Sequence, residues 1–148
     1  MRLSREFNLA EYLHSETADT NGIREQYYPD LLVRHNLRVL HERVIVPLMD
    51  QLPGLCWLNI RSGWRCMELN KRVGGAKNSE HLYGYAADIE CYDESGKECN
   101  EIILNLFKAH DWEFTQLISE KGSKKEPNWV HISYNQANLK CQVLRVSA

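Results

Sequence analysis

The stretch SEHLYGYAADIE (residues 79–90) places a histidine and an aspartate in one short run of the chain. Asp88 lies within the apolar segment AADI (residues 86–89), where a carboxylate is costly to bury unless something pairs with it. A metal ion would pair with it, and His81 lies close enough upstream to share that ion. The stretch therefore predicts a metal site built on Asp88 and His81, with the rest of the chain as its scaffold.

A second run, NWVHISY (residues 128–134), has the alternation of a half-buried strand. Val130 and Ile132 share the face that a core would cover, so His131 points to the other face. Two histidines and one carboxylate are three protein ligands, the number in a catalytic zinc site with a fourth position open for water. The spacing alone leaves open a second interpretation, in which His131 is a structural, hydrogen-bonded histidine.

The composition is that of an ordinary globular protein, with 148 residues, 43% hydrophobic and 26% charged. We expect one domain over residues 1–148. The net charge of −2 gives no indication of nucleic-acid binding, and no apolar run is long enough for membrane insertion. The charged N-terminus predicts no signal peptide, hence synthesis in the cytoplasm. The five cysteines form no C-x-x-C pair, which predicts reduced thiols rather than disulfides or a zinc–thiolate site.

Hydrophobic periodicity predicts an α+β fold, in which a small antiparallel sheet carries the metal site and helices flank it. Pro47 would kink the longest helix or end it early. Residues 15–22 and 120–128 are polar and are predicted to be loops. Helices are predicted near residue 9 and over 30–52, 65–73 and 100–110, and strands over 57–61, 86–90, 114–118, 129–134 and 141–146.

Several ordered motifs cover most of the chain. They are Leu3-Ser4 with Phe7, SETADTNGI (15–23), NLRVL (36–40), VPL (46–48), RSGWR (61–65), LNKRVGG (69–75), SEHLYGYAADI (79–89), FTQLISE (114–120) and WVHISY (129–134). In this order they resemble the zinc D-alanyl-D-alanine carboxypeptidase family, which includes phage and phage-like cell-wall peptidases. The resemblance implies the Hedgehog and DD-peptidase-like fold and one zinc ion per chain, bound by His81, Asp88 and His131.

The implied activity is hydrolysis of peptide bonds in peptidoglycan stem peptides, as a D-Ala-D-Ala carboxypeptidase or a murein endopeptidase. Related sequences carry a glutamate a little before the last histidine as the general base, and this chain has two candidates, Glu120 and Glu126. Glu126 is closer to that histidine in sequence. We expect Glu120 to be the base, because it directly follows the QLI strand and a rigid element holds a catalytic group better than a loop.

Three further residues are expected in the substrate cleft. The resemblance implies that Arg65 of the RSGWR motif acts in catalysis and in substrate binding, since its planar guanidinium suits carboxylate and carbonyl oxygens. Ser79 and Tyr83 are expected to line the cleft and contact substrate. The competing interpretations are a surface arginine, a turn serine and a packing tyrosine.

Two other functions use the same set of ligands. Two histidines and a carboxylate also form the facial triad of iron(II) oxygenases, and the Hedgehog-like fold includes zinc-containing binding modules with no assigned peptidase role. The presence of Glu120 and Arg65 favours the peptidase. We expect a monomer that acts on peptidoglycan peptides of the bacterial cell wall, and the predicted lack of a signal peptide fits a phage-encoded enzyme.

Overall fold

The computed structural model describes residues 4–122 and 126–146, so Leu3 of the first motif and residues 123–125 of the predicted charged loop lie outside it. The predicted α+β class is confirmed, with one five-stranded sheet flanked by helices. The helices are α1 (Leu9–Leu13), α2 (Glu16–Thr20), α3 (Leu31–Leu40), α4 (Val46–Gln51), α5 (Met67–Arg72) and α6 (Glu101–Ala109). The strands are β1 (Trp57–Ser62), β2 (Ala86–Tyr92), β3 (Gln116–Glu120), β4 (Trp129–Ser133) and β5 (Gln142–Val146).

The strand order across the sheet is β1-β2-β4-β3-β5. The first four strands pair antiparallel, as expected. The edge strand β5 departs from the predicted antiparallel arrangement, because it pairs parallel to β3. Both edges of β4 are already occupied by β2 and β3 when the chain turns back after β4. The returning strand therefore takes the free edge of β3, which runs in the same direction.

The long helical segment is built from α3 and α4 with a π-helical turn, His41–Ile45, between them. The Asp30 carboxylate accepts a hydrogen bond from the Val33 N–H at 2.8 Å and so caps the start of α3. Pro47 lacks an N–H, and the wider turn just before it accommodates the missing bond without breaking the path of the helix. Pro47 thus does not end the helical segment, which continues to Gln51.

One buried cluster joins the sheet to the helices. Leu31 at the start of α3 is 81% exposed, so the core-facing stripe of that helix begins only at Val33. None of the described helices is long and apolar enough to cross a membrane. Fully or nearly fully buried members of the cluster are Leu37, Leu40, Ile45 and Leu48 from the helical segment and Leu58, Ile89, Val130 and Ile132 from the strands.

Two local predictions need correction. The segment 15–22, predicted as a loop, contains the five-residue helix α2. The Ser15 hydroxyl accepts a hydrogen bond from the Ala18 N–H at 3.1 Å and so caps the start of this helix. The strand predicted over 114–118 runs instead from Gln116 to Glu120. Glu120 therefore lies within β3 and not in the loop that follows it.

Candidate metal site and its cleft

Three side chains from three elements converge at the middle of the sheet. Asp88 on β2 lies directly opposite His131 on β4, and His81 lies on the 3₁₀ turn Glu80–Tyr83 that precedes β2. The Asp88 Oδ1 atom is 3.3 Å from His81 Nε2 and 3.1 Å from His131 Nδ1. The ligand atoms of all three residues lie within 4.8 Å of one another, which brings the three predicted metal ligands together.

The 3₁₀ turn holds His81 in place through its two ends. The Ser79 hydroxyl accepts a hydrogen bond from the His81 N–H at 3.3 Å. Gly84 closes the turn with φ of +76°, in the left-handed region that favours glycine. A Cβ atom at Gly84 would lie 2.8 Å from the backbone oxygen of Val33, so the glycine also allows the turn to pack directly on α3.

The Nδ1 atom of His81 has its own hydrogen-bond partner. His81 Nδ1 donates a hydrogen bond to the Gly63 carbonyl at 2.6 Å, which leaves Nε2 as the nitrogen that faces Asp88. Gly63 is held against the backbone of Tyr12, where a Cβ atom would collide, and the Trp64 N–H donates to the Tyr12 carbonyl at 2.9 Å. The RSGWR motif therefore sets the orientation of His81.

Glu80 is a site residue that the sequence analysis missed. Its Oε1 atom is buried, lies 3.7 Å from His131 Nε2, and has no hydrogen-bond partner among the described residues. Burial alone would lower the pKa of His131, but the carboxylates of Asp88 and Glu80 raise it to about 9. The available signal was the acidic residue inside the SEH triplet, next to a predicted ligand.

The donor set fits a zinc ion. The side chains of His81, Asp88 and His131 are only 2%, 15% and 11% exposed, so the Asp88 carboxylate is largely shielded from solvent. Burial alone would raise the pKa of Asp88, but His81 and His131 hold it well below its usual range. Two imidazole nitrogens and one carboxylate oxygen are ligands that zinc accepts in tetrahedral sites.

The three side chains open into a cleft of about 380 Å³. Arg65, Ser79, Glu120 and Trp129 line it together with the three convergent residues. Tyr83 does not line this cleft but an adjoining cavity of about 310 Å³, with which the cleft shares Asn78 and Glu80. Most of the predicted site residues are thus gathered around one opening, with Tyr83 at its margin.

Glu120 and Arg65 come from different sequence motifs and line the same cleft. Glu120 pairs with Trp129 in the β3–β4 ladder and Ile118 pairs with His131, so Glu120 is one diagonal step from His131 on the same face. Burial and the negative charge of Asp88 raise the pKa of Glu120. Arg65 donates from Nη2 to the Ser79 hydroxyl at 3.3 Å, and its buried Nε has no hydrogen-bond partner among the residues described.

Glu126, the other predicted candidate for the base, lies elsewhere. Its Oε1 atom accepts a hydrogen bond from the Asn100 N–H at 2.6 Å, at the start of α6. Asn100 Nδ2 donates in turn to the Pro127 carbonyl at 2.9 Å. Glu126 is therefore engaged in attaching the β3–β4 connection to α6 and does not line the cleft.

Comparison with known proteins agrees with the site. A family model described as Peptidase M15 matches residues 5–133, a span that includes all the residues of the cleft. A zinc D-Ala-D-Ala carboxypeptidase of Streptomyces albus G is 47% identical over 32 residues, which are 22% of this chain and 12% of that relative. The matched part is thus a small fraction of the relative.

Proposed function

The chain belongs to the peptidase M15 family, and we propose that it is a zinc-dependent peptidase that hydrolyses peptide bonds in peptidoglycan stem peptides. The proposal covers two types of cleavage, that of a D-Ala-D-Ala carboxypeptidase and that of a murein endopeptidase. The observation that carries it is the convergence of His81, Asp88 and His131, whose ligand atoms lie within 4.8 Å of one another in an open cleft. A zinc carboxypeptidase among the relatives supports it.

The three convergent atoms would hold one zinc ion, and the open cleft leaves its fourth position accessible. Zinc in such a site lowers the pKa of a water molecule and polarises the carbonyl of the scissile bond. The chain's own contribution is to orient the ligands. The Gly63 carbonyl accepts a hydrogen bond from His81 Nδ1, and Glu80 faces His131 Nε2.

Glu120 is the proposed general base. It would take the proton of the attacking water and return it to the leaving amine. Its position one diagonal step from His131 supports this role, and a raised pKa makes its carboxylate a better proton acceptor. The Glu126 carboxylate also favours Glu120 as the base, because it accepts a hydrogen bond from the Asn100 N–H and lies away from the cleft.

Arg65 is the proposed substrate clamp. Its guanidinium is half-buried at the cleft wall, with one nitrogen fixed by Ser79 and the Nε atom lacking a hydrogen-bond partner among the described residues. A substrate carbonyl or carboxylate oxygen would satisfy that donor, at low cost in side-chain ordering because the Ser79 bond already orients the fork. Ser79 thus serves substrate binding through Arg65, and Tyr83 would contact the substrate where it leaves the cleft.

The proposed place of action is the bacterial cell wall, and a phage or prophage origin fits that proposal. Zinc peptidases and iron(II) oxygenases can share this set of ligands, and membership of the peptidase family favours zinc. Metal identity is for that reason the first property to measure.

Elemental analysis of the purified protein tests the proposal. We expect about one zinc per chain, and loss of that zinc in His81→Ala, Asp88→Ala and His131→Ala, because each removes one of only three protein ligands. His35→Ala, which removes an exposed histidine of α3, is the matched control and should keep its zinc. Full zinc in any of the three variants would remove that residue from the site, and stoichiometric iron would favour the oxygenase.

A further inference from the structure

Three cysteines that are far apart in sequence meet in the core, outside the metal cleft. Cys56 precedes β1, Cys91 lies on β2, and Cys99 precedes α6. All three are at most 8% exposed, and their sulfur atoms lie within 4.8 Å of one another. We call Cys56, Cys91 and Cys99 the thiol cluster. The sulfur atoms of Cys91 and Cys99 are 3.4 Å apart.

The backbone around this pair is already arranged for a cross-link. Tyr92 and Glu98 form an antiparallel bridge, and the Cys99 N–H donates to the Cys91 carbonyl at 2.9 Å. Cys91 and Cys99 therefore face each other across two antiparallel segments. Facing residues in such pairs have Cα atoms roughly 4.5–5.5 Å apart, inside the range of roughly 4.4–6.8 Å that disulfides need. Only the sulfur atoms have to approach.

A metal ion is the competing occupant of the thiol cluster, and electrostatics disfavours it. Three thiolates around a divalent ion leave a net negative charge in an apolar cluster, and Glu101 adds negative charge beside Cys99. Burial raises the pKa of Cys99 to about 11 and that of Cys91 further, so the thiols hold their protons. A disulfide is neutral and avoids this cost.

We propose that Cys91 and Cys99 are a redox modification site, which forms an intramolecular disulfide when the protein meets a low-molecular-weight disulfide such as oxidised glutathione. When local opening of the turn exposes Cys99 to water, its sulfur loses its proton, attacks the oxidant as a thiolate and releases one reduced glutathione. The second sulfur then attacks the mixed disulfide and releases the other. Two protein thiols are oxidised to one disulfide, the oxidant is reduced to two thiols, and Cys56 remains a thiol.

Access to the pair comes from the turn between them. Residues 94–98 are exposed, so local opening of this turn uncovers Cys99 without unfolding the sheet. The closed disulfide would join β2, which carries Asp88, to the segment that leads into α6. Because it restricts the unfolded chain, the cross-link should stabilise the fold.

The test is peptide mass spectrometry after incubation with oxidised glutathione and alkylation in denaturant. Cys141→Ser is the background, because Cys141 is exposed and would itself react with glutathione. We expect a peptide linked through Cys91 and Cys99, an alkylated Cys56, and a thermal midpoint raised by about 5 °C. Cys56→Ser should keep the cross-link, whereas Cys91→Ser and Cys99→Ser should each abolish it and the added thermal stability.

Complete alkylation of both Cys91 and Cys99 after prolonged oxidation would overturn the proposal. A link through Cys56 would overturn the choice of pair, and a second zinc ion that is lost in Cys91→Ser would show that the thiol cluster binds metal. None of these results depends on peptidase activity or on zinc in the cleft. The proposal and the proposed function can therefore fail separately.

Discussion

At the scale of single residues, the proposed metal site depends on which nitrogen each imidazole presents. The Gly63 carbonyl accepts a hydrogen bond from His81 Nδ1, so Nε2 is the nitrogen that would face the metal. His131 uses the opposite nitrogen, since Nδ1 faces Asp88 while Nε2 faces Glu80. The two histidines are therefore not equivalent, and one outer partner is a neutral carbonyl while the other is a carboxylate.

This difference makes Glu80 a testable positioning residue. We expect Glu80→Ala to weaken zinc binding by about 10–100-fold, the usual effect of losing an outer partner of a ligand histidine. Glu80→Gln should recover part of that loss, because its amide oxygen can still face His131 Nε2. Chelator competition gives the zinc affinity, and thermal unfolding of the metal-free protein controls for a general loss of structure. Glu94→Ala, in an exposed turn, should bind zinc like the unchanged protein.

The general base is the second prediction at this scale. Glu120→Gln should keep zinc, because the residue is not a ligand, and should lose about two to four orders of magnitude in the rate of peptide cleavage. Glu126→Gln is its natural control and should stay active, since Glu126 is bound to Asn100. An active Glu120→Gln beside an inactive Glu126→Gln would mean that the β3–β4 connection folds over the metal during catalysis.

The sequence identified some of these residues and could not identify others. His81, Asp88 and His131 stand in motifs whose order resembles a family, so they could be named from sequence. Glu80 was missed, because its position beside His131 comes from a 3₁₀ turn that brings it to a histidine on a distant strand. The sequence favoured Glu120 over Glu126 as the base, but the position of Glu120 on the same face as His131 needed the β3–β4 register, in which Trp129 lies opposite Glu120.

At the scale of elements, alternation of side chains predicts strands better than it predicts their order. Asp88 and His131 were each placed on a strand from sequence, and their direct pairing follows only once β2 and β4 are neighbours. The parallel edge strand β5 could not be foreseen, because nothing local in residues 142–146 records that both edges of β4 are occupied. The short helix α2 was missed because a five-residue helix has too little periodicity to detect.

The contact between the β3–β4 connection and α6 predicts a pH dependence of stability. Burial and the neighbouring acids Glu101 and Glu98 raise the pKa of Glu126 from 4.5 to about 7. The folded state therefore holds a proton that the unfolded chain releases between these values, and this contribution to stability is present below pH 4.5 and lost as the pH rises through about 7.

Glu126→Gln tests this directly, since its amide cannot titrate. Urea unfolding at pH 5 and pH 8 gives the free energy of unfolding of both proteins. We expect the unchanged protein to lose more stability than Glu126→Gln between the two pH values. An equal change in both proteins would show that the Glu126 carboxyl titrates normally, and that the loop–helix contact is insensitive to its charge.

At the scale of the whole molecule, the fold places a polar cleft on a sheet whose other face is covered by helices. The family match covers residues 5–133 and so includes α1 to β4, whereas β5 lies beyond it. The proposed ligands come from β2, β4 and the turn before β2, which the buried cluster holds together. A site distributed over these elements exists only when the whole sheet is formed. The single domain, the monomeric state and the site of action remain predictions.

The most direct test of the account is digestion of defined muropeptides by the zinc-loaded protein, with the products identified by mass spectrometry. We predict cleavage of a stem-peptide bond, abolished by removal of zinc, restored by its return, and absent in zinc-loaded Glu120→Gln. Release of the terminal D-alanine would assign carboxypeptidase activity, and an internal cut would assign endopeptidase activity. Intact muropeptides after incubation with fully zinc-loaded protein would contradict the account and favour a binding module with the same fold.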